Sequence, residues 1–188
     1  MGWFSPVKGS YPSLAQVDKT LPVKAGVKSI ARGTIVALEA DSDSAEGVWN
    51  IATGSSKLLY VALQDYTDPT AGFAGDAFNP DPHRLPDGIV GSGNGQPRIN
   101  ALSLDMDGEY ETTEFNTDET YTVGAPLYVV NGKLTATDPG SGTVVGYVTV
   151  GKTERWINNA IAVPKDGADQ RLAIRTGANK FVLRFRTK

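Results

Sequence analysis

Glycine and proline punctuate this chain so closely that no stretch holds a 3.6-residue period for the length of an ordinary helix. With 21 Gly and 11 Pro among 188 residues, well above the roughly 12% of average proteins, the chain is restricted to short extended segments joined by turns. From Val27 onward that is the pattern. Runs such as Thr34 to Leu38, Val48 to Ala52, Leu58 to Leu63, Ile99 to Leu104, Glu109 to Thr113, Leu127 to Val130, Val144 to Val150 and Phe181 to Phe185 are rich in β-branched and aromatic residues and end in Gly, Asp, Pro or Ser. Shorter runs fall at Tyr121 to Val123, Lys133 to Thr137, Ala160 to Val163 and Leu172 to Arg175. The spacing predicts an all-β fold, a β-barrel or compact β-sandwich. Only Ser13 to Asp18 and Thr153 to Ala160 leave room for a turn or two of helix.

Two local patterns carry more detail. Asn131-Gly132 stands between Leu127-Tyr128-Val129-Val130 and Lys133-Leu134-Thr135-Ala136-Thr137, and this dipeptide readily adopts the two positive φ angles of a type I′ hairpin turn. At Phe181 to Arg186, Phe181, Leu183 and Phe185 alternate with Val182, Arg184 and Arg186; period two places the aromatics on a core face and the guanidinium groups on the other. Gly33 to Leu63 and Gly124 to Val150 also resemble degenerate copies of one unit, a Gly-led strand, a short strand with a turn, and a longer apolar strand, although recurrent hairpin patterning accounts for this almost as well.

Residues 1 to 26 read as an extended N-terminal arm, because Pro6, Pro12 and Pro22 interrupt any helix or central strand. Trp3, Phe4, Tyr11 and Leu14 give that arm apolar side chains suited to docking on a neighbour. The rest, 27 to 188, forms the β-rich domain. Within it 66 to 88 is a long loop holding Pro69, Pro80, Pro82 and Pro86, and loops of that length are often functional surfaces.

Charge and composition exclude several functions. A net charge of −3 argues against a nucleic-acid partner, which requires a basic surplus. Without cysteine there is no disulfide scaffold and no thiolate chemistry, and with one histidine a hydrolytic triad would have to be built on His83. Asp81-Pro82-His83-Arg84 has no nucleophile motif nearby. No apolar run approaches the roughly 18 residues of a membrane span, and no signal-peptide core is evident, so the chain is expected to be made in the cytoplasm with no membrane partner.

The remaining motifs have bland readings that weigh more. Gly146 to Thr153 satisfies G-x-x-x-x-G-K-[ST], yet Tyr147-Val148-Thr149-Val150 favours extended backbone over a phosphate-cradling loop, so a strand ending in a Gly-Lys turn is expected. Gly91 to Gly95 is a flexible turn, and Asp41 to Ser44 a turn with self-bonding side chains. Asp105, Asp107, Glu109 and Glu111 could gather carboxylates for Ca²⁺ or acid/base work, but Gly108 falls at the wrong place for an EF-hand and a solvated acidic strand face is the simpler reading. Residues 171 to 188 hold six bases and no acid, whereas 105 to 119 holds seven acids and no base. Complementarity within the chain or between subunits explains this better than nucleic acid, and Arg184 and Arg186 join the arm residues as candidate interface positions.

The run Ile30-Ala31-Arg32-Gly33-Thr34-Ile35-Val36-Ala37-Leu38, the segment Tyr60-Val61-Ala62-Leu63-Gln64-Asp65, the acidic Gly108-Glu109-Tyr110-Glu111-Thr112, and the pairing of Val123 to Leu127 with Thr143 to Val148 together resemble the decoration or cement proteins of tailed-bacteriophage heads, over roughly residues 27 to 152. The resemblance implies a β-rich structural protein on the outer capsid surface of the virion. It would bridge major capsid protein subunits as a homotrimer, with a dimer as second choice, and would have no catalytic residue, cofactor or metal. The alternative is a tail or baseplate β-domain, possibly carbohydrate-binding. Clustered tryptophans would favour that reading, but Trp3, Trp49 and Trp156 are scattered.

Overall fold

A computed structural model describes residues 2–7, 17–41, 44–67, 90–91, 97–104, 108–140, 142–162 and 174–188. The fold is all-β, and among the described residues there is no helix. One sheet holds β2 (Val17–Pro22), β4 (Ile35–Asp41), β5 (Ser44–Ile51), β6 (Leu59–Ala62) and β9 (Pro97–Ser103) in the order β2-β9-β6-β4-β5, with β8 (Val90–Gly91) paired to β9. A second sheet holds β1 (Phe4–Pro6), β10 (Glu109–Thr112), β11 (Pro126–Val130), β12 (Lys133–Thr135), β13 (Gly146–Ala162) and β14 (Ile174–Thr187) in the order β1-β10-β14-β13-β11-β12. The short strands β3 (Ser29–Ile30) and β7 (Tyr66–Thr67) pair with each other.

The first sheet curls until its two ends meet: Val23, just past β2, bridges Trp49 of β5, and the Lys24 amide donates to the Trp49 carbonyl at 2.9 Å. Curling gives it two buried faces. Inside lie Leu21, Val36, Trp49, Tyr60, Ala62, Ile99 and Ala101, with Ile30 and Tyr66 from β3 and β7. Trp49 is fully buried, and its indole Nε1 donates to the Ile99 carbonyl at 3.1 Å, so its one polar atom is satisfied. Outside, Ile35, Ala37, Leu59, Val61, Leu102 and Leu104 pack with Phe4, Tyr110, Leu127, Val129, Leu134, Val148, Leu183 and Phe185 of the second sheet. Adjacent residues of β4 and β6 therefore serve opposite cores, and Leu59 to Ala62 is buried throughout. That is why this run is continuously apolar rather than alternating. The architecture combines the two expected forms, a curled barrel-like sheet with a second sheet packed on its outer face.

The two repeat-like segments take the same arrangement, since β4 lies between its hairpin partner β5 and β6, and β11 between its hairpin partner β12 and β13. The Asn131-Gly132 hairpin forms with φ of 49° and 74° at the two turn residues. The expectation for residues 1 to 26 needs correction. Phe4 is 2% exposed and stacks on Tyr110 with ring centroids 5.1 Å apart, β1 pairs with β10, and β2 pairs with β9. Pro6 and Pro22 end edge strands instead of preventing them. The described part of the arm thus belongs to the body.

Two strands also run longer than expected. Gly146 to Val150 and Ala160 to Ala162 are parts of the continuous β13, and Ile174-Arg175 and Phe181 to Phe185 of β14, while Val163, Leu172 and Ala173 lie outside the described residues. No turn occurs at Gly151-Lys152 and no helix at Thr153 to Ala160. Tyr121 to Val123 is irregular; there the Tyr121 ring meets Phe115 edge-on and its hydroxyl donates to the Asn116 carbonyl at 2.8 Å.

Candidate docking surface

The acidic and basic segments face each other across one strand pair. In the register of β10 against β14, Glu109 lies opposite Arg186 and Glu111 opposite Arg184, so two alternating charge patterns of opposite sign are matched residue by residue. Glu111 is 4% exposed, and a buried carboxylate needs its charge compensated. Arg184 donates from Nε and Nη2 to Glu111 Oε1 at 2.8 and 2.6 Å, and Arg155 Nη1 lies 3.0 Å from Glu111 Oε2. Glu109 Oε1 accepts from Thr149 Oγ1 at 2.7 Å. These two carboxylates are therefore structural acceptors within the sheet, not a solvated acidic face. Among the described residues no group of three or more acidic or histidine side chains is arranged to hold a metal.

Arg155 comes from beyond the body of the sheet. β11 pairs with β13 only at Gly146 and Tyr147, and β10 with β14 only from Leu183 to Arg186. Past those points β13 and β14 continue as a two-stranded ribbon, in register as far as Ala162 opposite Ile174. Among the described residues no third strand pairs with it. Register shifts at Val148/Val150 and Val150/Thr153 mark bulges, which increase the local twist and re-aim the side chains that follow. Thr153, Arg155 and Ile157 share one face with Val182 and Lys180. On that face, which continues the Arg184 and Glu111 side of the sheet, Ile157 and Val182 are buried and Arg155 reaches Glu111.

The opposite face carries two exposed aromatics. Glu154 lies opposite Phe181 and Trp156 opposite Asn179, so Trp156 and Phe181 are diagonal neighbours, 61% and 47% exposed. Lys152 Nζ sits 5.2 Å from the centre of the Phe181 ring and donates to the Thr117 carbonyl at 2.6 Å. Phe181, expected in the core with Leu183 and Phe185, is outside it because the ribbon outruns the sheet it packs on. The alternation holds, but its far end lies beyond the packed core, with Lys152 set against the Phe181 ring. A second apolar patch lies at the ribbon's root, where exposed Val123 and Tyr147 adjoin Arg186 and Lys188.

The expected interface residues fall in different places. Trp3 is half-buried, bonded through its amide to Thr113 Oγ1 at 2.8 Å and through its carbonyl to the Thr113 amide. Phe4 is in the core, and Arg184 is committed to Glu111. Arg186 is exposed beside the Tyr147 patch. Tyr11, Leu14, His83, Asp105, Asp107 and loop residues 68 to 88 lie outside the described residues, as do most of the turns at Asp41 to Ser44 and Gly91 to Gly95. The P-loop match is a strand: a side chain at Gly146 would collide with the Arg186 carbonyl across the ladder, and Lys152 is turned to Thr117. Trp156, absent from the expected set, could have been flagged as the tryptophan nearest the run of C-terminal bases.

A polar hollow beside β12 gathers around Glu119, which accepts from Thr135 Oγ1, the Ala136 amide and Asn116 Nδ2 at 2.6 to 2.8 Å. Partial burial pushes its carboxyl upward, but the hydrogen bonds from Thr135, Ala136, Asn116 and Tyr121 outweigh that and hold it below its ordinary value. It is a fastening for the turn.

The chain matches no family model, no curated protein and no solved structure.

Proposed function

We propose that this chain is a structural protein of a tailed-phage virion, a decoration or cement protein that binds the outer surface of the head and stabilises contacts between major capsid subunits. The observation that carries the reading is the β13–β14 ribbon, which leaves a well-packed body and presents Trp156 and Phe181 outward. The sequence resemblance supports it independently. A two-stranded ribbon is marginal by itself in water, so one that is retained and aromatic on its open face suits docking on a neighbour. Many copies on a lattice turn modest contacts into firm attachment through avidity. The tail or baseplate alternative has less support: Trp49 is buried and Trp3 half-buried, so no tryptophan-lined sugar platform forms among the described residues. Gradient separation of heads from tails, followed by immunodetection, tests the proposal. The chain should be found with DNA-filled heads; recovery with tails alone would refute it.

A further inference from the structure

Asn131-Gly132 has a chemistry that its role as a turn does not use. An asparagine followed by glycine can cyclise, because no side chain on the second residue obstructs the approach of its backbone nitrogen. The Gly132 nitrogen loses its proton to solvent base and bonds to Asn131 Cγ, the Cγ–Nδ2 bond breaks, and Nδ2 leaves as ammonia. Water then opens the cyclic imide at either carbonyl, giving aspartate or isoaspartate; nothing is oxidised or reduced.

The two partners in that reaction have opposite surroundings. Asn131 is exposed, whereas Gly132 is buried. The Gly132 amide donates to the Ala52 carbonyl at 2.9 Å, and its own carbonyl accepts from the Ile35 amide at 2.8 Å. Both bonds cross from the β11–β12 hairpin to the barrel sheet, at the end of β5 and the start of β4. Thr34 and Ile51 close around the glycine, where a Cβ would lie 2.6 Å from Thr34 Cγ2 and 3.0 Å from Ile51 Cγ2. Attack on Asn131 requires this nitrogen to leave Ala52 and shed a proton. A deprotonated amide held against a carbonyl oxygen inside the protein is strongly disfavoured, and the packed neighbours hold the Gly132 peptide in place.

We infer that Asn131 is a spontaneous modification site held in check by the docking of its hairpin: cyclisation proceeds only in copies whose β11–β12 turn has lifted off the barrel sheet. Deamidated Asn131 is then a covalent record of that local opening. The record is lasting, because isoaspartate lengthens the main chain by a carbon inside a two-residue turn that sets the register of the hairpin. The inference goes beyond the head-binding reading and does not depend on it, because the chemistry is measured with no capsid present.

The test incubates the wild-type chain at mildly alkaline pH in a urea series. Peptide mapping by mass spectrometry follows Asn131 separately from Asn94-Gly95, the other Asn-Gly pair of the sequence, and NMR follows hydrogen exchange of the Gly132 amide in the same series. Deamidation at Asn131 should be at least about tenfold slower in the folded chain than in the urea-unfolded one. Below the unfolding transition it should rise with urea in step with exchange at Gly132, since one opening exposes the same nitrogen to both reactions. Deamidation of the folded chain at the unfolded rate would overturn the inference. So would acceleration while the Gly132 amide stays protected, or release of that amide with no rise in deamidation.

Discussion

At the scale of single residues, Glu111 joins charge, register and the path of the ribbon. Its carboxylate takes two guanidinium groups, one from the strand beside it and one from the ribbon. Removing it leaves both cations without their acceptor, although Arg155 and Arg184 keep some access to water. Glu111→Ala is therefore expected to cost about 1–3 kcal/mol, less than a fully buried pair would lose. Phe4→Ala should cost about 3–5 kcal/mol, the range for a large aromatic removed from a packed core. Chemical denaturation measures both, and a Phe4 variant as stable as wild type would restore an arm independent of the body. Glu119 gives a pH dependence of definite sign. Its folded pKa lies below its ordinary value of 4.5, so its stabilising effect is present above that value and fades as pH falls through the folded pKa. Glu119→Gln should be less stable than wild type by about 1 kcal/mol at neutral pH, with the gap narrowing in acid. A gap that widens below pH 4.5 would contradict the assigned hydrogen bonds.

At the scale of elements, the Asn131-Gly132 hairpin is the best case of structure legible in sequence, because a turn with two positive φ angles selects its residues directly. Gly132 adds a constraint that sequence does not display. A Cβ there would lie 2.6 Å from Thr34 Cγ2 and 3.0 Å from Ile51 Cγ2, whereas one at Gly124, also at positive φ, would meet nothing within 4 Å. Gly124→Ala should cost about 1–2 kcal/mol for the left-handed backbone alone, and Gly132→Ala measurably more; equal thermal shifts would show that the hairpin does not press on the barrel sheet. The long strands were not legible. Gly151-Lys152 looks like a turn, yet bulges absorb the irregularity and pairing continues, a property of the partner strand that no local signal encodes. Phe4 is illegible for a similar reason: a proline two residues on suits an edge strand as well as a free arm, and only pairing with Tyr110 to Thr112 decides between them. The opposition of acidic and basic segments was legible, but its placement on adjacent strands is a fact of topology.

At the scale of the whole molecule, the described residues build two packed cores, and the β13–β14 ribbon runs past both. The G-x-x-x-x-G-K-[ST] match is paired strand: Lys152→Ala should leave the fold intact and calorimetry with ATP or GTP unchanged, since the lysine serves a carbonyl and an aromatic ring. The proposed role rests on attachment to heads, and saturation binding of purified protein to DNA-filled heads lacking it tests that role most directly. Saturable occupancy at a fixed ratio to the major capsid subunit, accompanied by greater resistance of the heads to heat, is the expected result. Heads that bind no protein at saturating concentration, or that bind it without any gain in resistance, would contradict it.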